Sequence, residues 1–228
     1  ASHAIGGKYK NQLIGNGAYS DITVFSFHPV KIITTAEGGM ALTNDDGLAA
    51  RMDLFRSHGI TRDPEFMTHA PDGPWYYQQV DLGFNYRMTE LQAALGISQM
   101  ERLDQYVARR HELANRYDKL LVGLPIITPW QRPDSYSGLH LYVVRLQLDK
   151  IDKGHSEIFQ LMRDADISVN LHYIPVHRQP YYQKMGFDQD AFPEANAYYQ
   201  EAISIPMFAT MTEKQQDYVV ATLRGLFA

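Results

Sequence analysis

Lys31 stands where an amine could do covalent chemistry. It follows Phe25-Ser26-Phe27-His28-Pro29-Val30, precedes Ile32 to Ala36, and lies in a turn closed by the pair Gly38-Gly39. A lysine is nucleophilic only as the free amine, and apolar surroundings or a neighbouring cation lower its pKa toward that form. Phe25, Phe27 and His28 supply such surroundings, so Lys31 could hold an aldehyde cofactor as a Schiff base. Ser26 falls on the strand face opposite Phe25 and Phe27, because side chains alternate along a strand, and its hydroxyl suits a phosphate oxygen. Residue types alone equally admit a surface hairpin lysine and a His28 that is simply packed at a strand end. His172 and His177 flank Pro175 with no carboxylate or third histidine at ligand spacing, so no metal site is expected.

The elements that must position these groups are written in the patterning. Asp21 to Phe27 is rich in β-branched and aromatic residues and predicts a strand, with Met40-Ala41-Leu42-Thr43 returning beside it. Asn44 or Thr43 caps a helix over 45–57 that turns Leu48, Met52 and Phe55 to one side and stops at Gly59. Residues 60–82 form a long loop of the kind used as a lid, a binding loop or an interface. Its Trp75-Tyr76-Tyr77 reads equally as packing between copies or as stacking on a substrate.

A long helix is predicted from Met88 to Leu121, capped by Thr89 with Gln92. Leu91, Leu95, Leu103, Val107, Leu113 and Leu120 recur at helical spacing, and Gly123 and Pro125 end it. Beyond it a strand over 139–148, a helix over 156–165, a strand over 167–171, a helix over 193–202 and a strand over 203–205 alternate. Thr212 and Gln215 then form a capping box for a last helix reaching Phe227. That alternation predicts a small α/β domain. The boundary is placed inside the long helix, giving domains 1–105 and 106–228.

Composition narrows the function classes. A chain of 228 residues with 45% hydrophobic and 21% charged residues can build one large or two small packed domains. A net charge of -5 and a pI near 6.0 carry no nucleic-acid footprint. No apolar run approaches the roughly 18 residues of a membrane span. Cysteine is absent, which excludes disulfides, thiolate metal sites and cysteine nucleophiles and fits the cytoplasm.

Phe25 to Gly39 resembles the lysine motif of the DegT/DnrJ/EryC1/StrS family of pyridoxal-phosphate-dependent sugar-nucleotide aminotransferases. Gly83-Phe84-Asn85-Tyr86-Arg87-Met88-Thr89-Glu90-Leu91-Gln92-Ala93-Ala94 is similar to the family's second signature, and Arg56-Ser57-His58-Gly59 also fits. Val169 to His177 with Gln179-Pro180-Tyr181-Tyr182 looks like the subgroup that serves pseudaminic acid biosynthesis. The resemblance covers essentially the whole chain. It implies a fold type I (aspartate-aminotransferase-like) α/β architecture, with residues 1–105 as the C-terminal part of the large cofactor domain and 106–228 as the small domain.

The resemblance also implies roles. Lys31 would bind pyridoxal 5′-phosphate covalently and move the proton between the amino carbon and C4′ of the cofactor. Ser26 would hold the cofactor phosphate, and His3 would lie close to the cofactor ring oxygen. Asn85 or Arg87 would reach a phosphate in the partner subunit's site, implying a homodimer with shared active sites; Asn85 also reads as a plain helix cap. Tyr173 and His177 would approach the sugar-nucleotide. The implied reaction moves an amino group from L-glutamate to C4 of a UDP-linked 4-keto-6-deoxy-N-acetylhexosamine, with a dTDP-linked keto sugar as the rival substrate. A dehydratase of the same family would carry His in place of Lys31. A noncatalytic dimerisation or binding module is the rival of another class.

The chain departs from the family pattern at its start. The aspartate that pairs with the pyridine nitrogen would fall one residue before Ala1, and the phosphate-cradling loop and the ring-stacking aromatic lie earlier still. The expectation is therefore a C-terminal piece of a longer protein that by itself shows little or no transamination.

Overall fold

The computed structural model describes residues 1–227, which divide into two compact units: 1–104 with 134–138, and 105–133 with the chain from 139 onward. In the first unit β1 (Lys8–Tyr9) and β2 (Gln12–Leu13) pair antiparallel. Then β3 (Thr23–Ser26) and β4 (Gly39–Leu42) form an antiparallel pair with Ser26 opposite Gly39. The helix α1 (Asp46–Arg56) follows. Its cap is Asp45 rather than Asn44 or Thr43: Asp45 Oδ1 accepts from Leu48 N–H at 2.7 Å, while Asn44 turns away to donate to the Asn16 carbonyl at 2.8 Å.

After α1 the chain doubles back on itself through β5 (Ile60–Thr61) and β6 (Gln78–Gln79). Two glycines permit the close approach there. A Cβ on Gly83 would stand 2.1 Å from the Gly59 nitrogen, and one on Gly59 would stand 1.9 Å from the Asp81 carbonyl oxygen. The long loop between these strands is braced internally by Gln78, only 7% exposed, whose Oε1 accepts from the Thr68 N–H and hydroxyl.

The expected single helix over 88–121 is two helices, α2 (Glu90–Met100) and α3 (Leu103–Leu120). At the break the bonding tightens, with Arg102 N–H reaching Gln99 O. In the sequence Leu91, Leu95, Leu103 and Val107 keep helical spacing across it, which is why periodicity alone reads straight through. The inward face of α2 is not its leucine stripe, for Leu91 is 86% exposed. After β7 (Ile126–Ile127) in the second unit, the chain returns to the first to add β8 (Ser135–Tyr136) beside β1.

The second unit is built on an antiparallel sheet in the order β7, β9 (Tyr142–Leu146) and β10 (Ala202–Ile205). Strict alternation along β9 buries Tyr142, Val144 and Leu146 in one core with residues of α3, α4 (His155–Asp164) and α7 (Glu213–Leu226). Before β10 come the single turn α5 (Pro180–Gln183) and α6 (Pro193–Glu201), the latter tied to β9 by the pair Arg145–Glu201 at 2.7 Å. The expected strand over 167–171 is only a bridge between Asn170 and Ser204. Val169 N–H is spent on the Ile167 carbonyl two residues back, and that tight turn removes the segment from the ladder. The capping box of Thr212 and Gln215 opens α7 as expected.

Candidate active site

Lys31 sits on the connection between β3 and β4, half-buried, with its N–H closing a turn onto the His28 carbonyl at 2.9 Å. Phe25 and Phe27 are core residues at 6% exposure, and beside them Ile32 and Ile33 are buried too. Desolvation lowers the Lys31 pKa from its ordinary value. No carboxylate pairs with the Lys31 ammonium among the described residues, since the nearby Glu37 points to His28 at 3.8 Å. Ser26 lies five residues earlier at the end of β3, and among the described residues its hydroxyl is engaged only by a long contact from His28 N–H at 3.5 Å.

The turn is held from two sides. Internally, Phe27 N–H donates to Gly38 O, Thr35 N–H and the Thr34 hydroxyl both donate to Phe27 O, and the Thr35 hydroxyl donates to Glu37 O. Externally, α2 lies against it: Gln92 Nε2 donates to Glu37 O at 2.9 Å, and Gly96 lets the helix approach so closely that a Cβ there would stand 2.8 Å from the Thr35 methyl. Sequence reasoning read Gln92 as a capping residue and passed over Gly96; only the packing shows that both face the lysine turn.

Asn85 and Arg87 are exposed on the segment leading into α2. That segment is zipped to the end of α1: Phe84 N–H donates to Phe55 O, His58 N–H to Phe84 O, and Tyr86 N–H to Arg56 O. Asn85 does not cap α2, a task Thr89 performs. Phe84 and Tyr86 stack on each other at 4.9 Å on either side of it. His3 belongs to the same unit, and its carbonyl and the Ile32 side chain both border Gly138.

Tyr173 and His177 belong to the second unit. Tyr173 is 59% exposed and meets the His172 ring edge-on at 4.7 Å. His177 is 7% exposed, with Nε2 at 3.1 Å from Gln189 O and 3.2 Å from Asn196 Oδ1. Both neighbours are acceptors, so this nitrogen carries the proton and spends it inside the unit.

The residues of the first unit fit a phosphorylated aldehyde. A desolvated amine without an acid partner can condense with a carbonyl, and a serine hydroxyl, an amide and a guanidinium are the donors a phosphate needs. Residues 1–224 match the model of the DegT/DnrJ/EryC1/StrS aminotransferase family. The chain belongs to that family. It is 36% identical over 229 residues to the spore coat polysaccharide biosynthesis protein SpsC of Bacillus subtilis, covering 99% of this chain and 58% of that protein. It is 35% identical to the UDP-4-amino-4,6-dideoxy-N-acetyl-beta-L-altrosamine transaminase of Campylobacter jejuni, over 98% of this chain and 56% of the relative.

Among solved structures, the putative sugar aminotransferase Spr1654 of Streptococcus pneumoniae in its PLP form superimposes with a TM-score of 0.87 at 29% identity, over 99% of this chain and 56% of that one. The DegT family uses pyridoxal 5′-phosphate, and its fold is the α/β fold type I of the PLP-dependent transferases. The chain spans somewhat more than half the length of these relatives. Among the described residues no helix is long and apolar enough to cross a membrane, and no cluster of metal-ligating side chains occurs.

Proposed function

We propose that the protein carrying this chain transfers an amino group from L-glutamate to C4 of a UDP-linked 4-keto-6-deoxy-N-acetylhexosamine, as a homodimer with shared active sites in the cytoplasm. The observation that carries the reading is Lys31: a half-buried, unpaired amine with a lowered pKa, on a family lysine motif. The substrate assignment leans on the name of the Campylobacter relative.

Bound pyridoxal 5′-phosphate supplies the electron sink that lets a proton leave an amino-bearing carbon. Lys31 would hold the cofactor through its aldehyde carbon. Once displaced by the donor's amine, Lys31 as the free amine would take the proton from the donor's amino-bearing carbon and, in the second half-reaction, would deliver one to C4 of the sugar. The Ser26 hydroxyl would donate to the cofactor phosphate. Asn85 and Arg87 would present an amide and a guanidinium to a phosphate of the partner's site, and His3 would lie by the cofactor ring oxygen. Tyr173 contacts the sugar-nucleotide, and His177 shapes that contact from within.

A second reading, a different nucleotide-linked keto sugar such as a dTDP-linked one, stands beside it because the Bacillus relative, named only for spore coat polysaccharide biosynthesis, is 36% identical against 35% for the Campylobacter transaminase. The test is a coupled assay of the full-length, cofactor-loaded protein with UDP- and dTDP-linked 4-keto sugars. Turnover with the UDP sugar and loss of the visible cofactor absorbance in Lys31→Ala are expected. An unchanged spectrum in Lys31→Ala would overturn the assignment, and turnover of the dTDP sugar alone would select the second reading.

A further inference from the structure

The segment from His172 to His177 is held at both ends and exposed in the middle. Tyr173, Ile174 and Val176 are 59%, 47% and 59% exposed. At one end His172 Nδ1 lies 2.7 Å from the hydroxyl of Ser204, a residue of β10 that is 5% exposed. Ser204 cannot shift to follow the ring. Its main chain pairs with Val143 on one side and exchanges two bonds with Asn170 on the other.

Donor accounting sets the direction of this bond. The Ser204 hydroxyl has no other hydrogen-bond partner among the described residues, and a buried O–H without an acceptor bears the full desolvation penalty of the group. The proton is therefore donated by Ser204, Nδ1 accepts it, and His172 is the Nε2–H tautomer. The ring so fixed meets Tyr173 at 90°.

At the other end His177 donates to Gln189 O and Asn196 Oδ1, while the Asn196 amide donates to the same Gln189 carbonyl at 2.8 Å. The shared carbonyl orients the Asn196 side chain, leaving its oxygen to the imidazole. The His177 ring also packs on Phe192 at 4.7 Å. Two histidines thus serve as pins, and the side chains between them are presented outward.

We infer that Ser204 and Asn196 are positioning residues, which act through His172 and His177 to hold Tyr173, Ile174 and Val176 as a preformed face for the nucleotide-sugar. This rests on the reading that Tyr173 meets that substrate. A face ordered in advance spares the ordering cost that binding would otherwise bear. Its exposed ring and two aliphatic side chains suit a planar base or the apolar face of a sugar. Ser204 and Asn196 accordingly set affinity for the sugar and take no part in proton transfer.

The test uses the full-length, cofactor-loaded protein with UDP-N-acetylglucosamine, which lacks the reactive ketone, as the binding probe. Ser204→Ala and Asn196→Ala are each expected to weaken its binding, and to raise KM for the keto sugar, by about five- to tenfold. The rate at which glutamate changes the cofactor spectrum stays at the wild-type value. Long-range proton–nitrogen NMR is expected to show His172 as the Nε2–H tautomer in the wild type and as a mixture in Ser204→Ala. If Tyr173→Ala binds the probe as well as wild type, the underlying reading fails. If Tyr173→Ala weakens binding while Ser204→Ala and Asn196→Ala do not, the positioning role is overturned and the reading stands. An Nδ1–H tautomer in the wild type overturns the donation from Ser204 without any substitution.

Discussion

The side-chain amide of Gln92 donates to the backbone carbonyl of Glu37, 55 residues away, at 2.9 Å. Its oxygen accepts at the same time from the Thr89 N–H and hydroxyl at 2.9 and 3.0 Å. One side chain therefore starts α2 and fastens that helix to the turn carrying Lys31. Gln92→Leu removes both functions, and a loss of about 1–2 kcal/mol is expected in urea unfolding. Gln92→Glu keeps the capping acceptor but cannot donate to Glu37, and falls between that variant and wild type.

Lys31 reactivity follows from desolvation. Its pKa is lowered from the ordinary 10.5 of a solvated lysine, so the free amine appears at lower pH. Labelling with pyridoxal 5′-phosphate and borohydride, read by mass spectrometry across pH, is expected to modify Lys31 at lower pH than the exposed Lys8 and Lys10. The sign for stability agrees: between the folded pKa and 10.5 the unfolded chain binds the extra proton, so stability rises with pH across that window. The side chain is partly solvated, so the labelling profile is the sharper measurement.

Gly83 faces Gly59 with no room for a side chain. In Gly83→Ala the new Cβ would stand 2.1 Å from the Gly59 nitrogen and 2.5 Å from the His58 carbonyl carbon. Both obstacles are backbone. A loss of about 3 kcal/mol or more, or failure to yield soluble protein, is expected. A thermal midpoint equal to wild type would mean the α1 end and the 81–86 segment are not zipped as described.

Arg110 is 6% exposed, and its Nη1 donates to Leu139 O, His140 O and Met207 O. Desolvation lowers its pKa, and no carboxylate compensates it among the described residues. Arg110→Met leaves three carbonyls short of a donor and should cost about 2–4 kcal/mol in denaturant unfolding. Arg110→Lys supplies one compact charge in place of the fork and is expected to recover only part of that loss.

Tyr142 makes the second unit sensitive to alkali. It is 1% exposed and donates to Asp118 Oδ1 at 2.5 Å. Burial, with the Asp118 bond and charge, raises its pKa well above the ordinary 10.0. Above that value the unfolded chain loses a proton that the folded chain keeps, so stability is intact below pH 10 and falls as pH rises beyond it. Tyr142→Phe is expected to flatten the alkaline limb of the pH–stability curve, measured as the urea midpoint.

Residue order alone determines a good deal here. Strand β3 is legible because Thr23, Val24 and Phe25 favour a pleated, half-buried surface. The boxes at Thr89 and Thr212 are legible because a cap is a local bond spanning three residues. The lysine motif and the second signature are equally local, and they carry the family. The choice of Asp45 over Asn44 as the cap of α1 was not local. It depended on the Asn16 carbonyl claiming Asn44 from 28 residues away.

Tertiary structure decided the rest. Periodicity could not show the break at 101–102, because the apolar spacing of the sequence runs through it. Nor does the spacing show which face of α2 meets the lysine turn, where Gln92 and Gly96 point to it and Leu91 is exposed. The family resemblance put His177 by the sugar-nucleotide, yet only the fold places Asn196 beside it and Ser204 beside His172. Local bonds can be read from neighbouring residues. Which distant carbonyl, hydroxyl or amide occupies a side chain's remaining donors is settled only when the chain is packed.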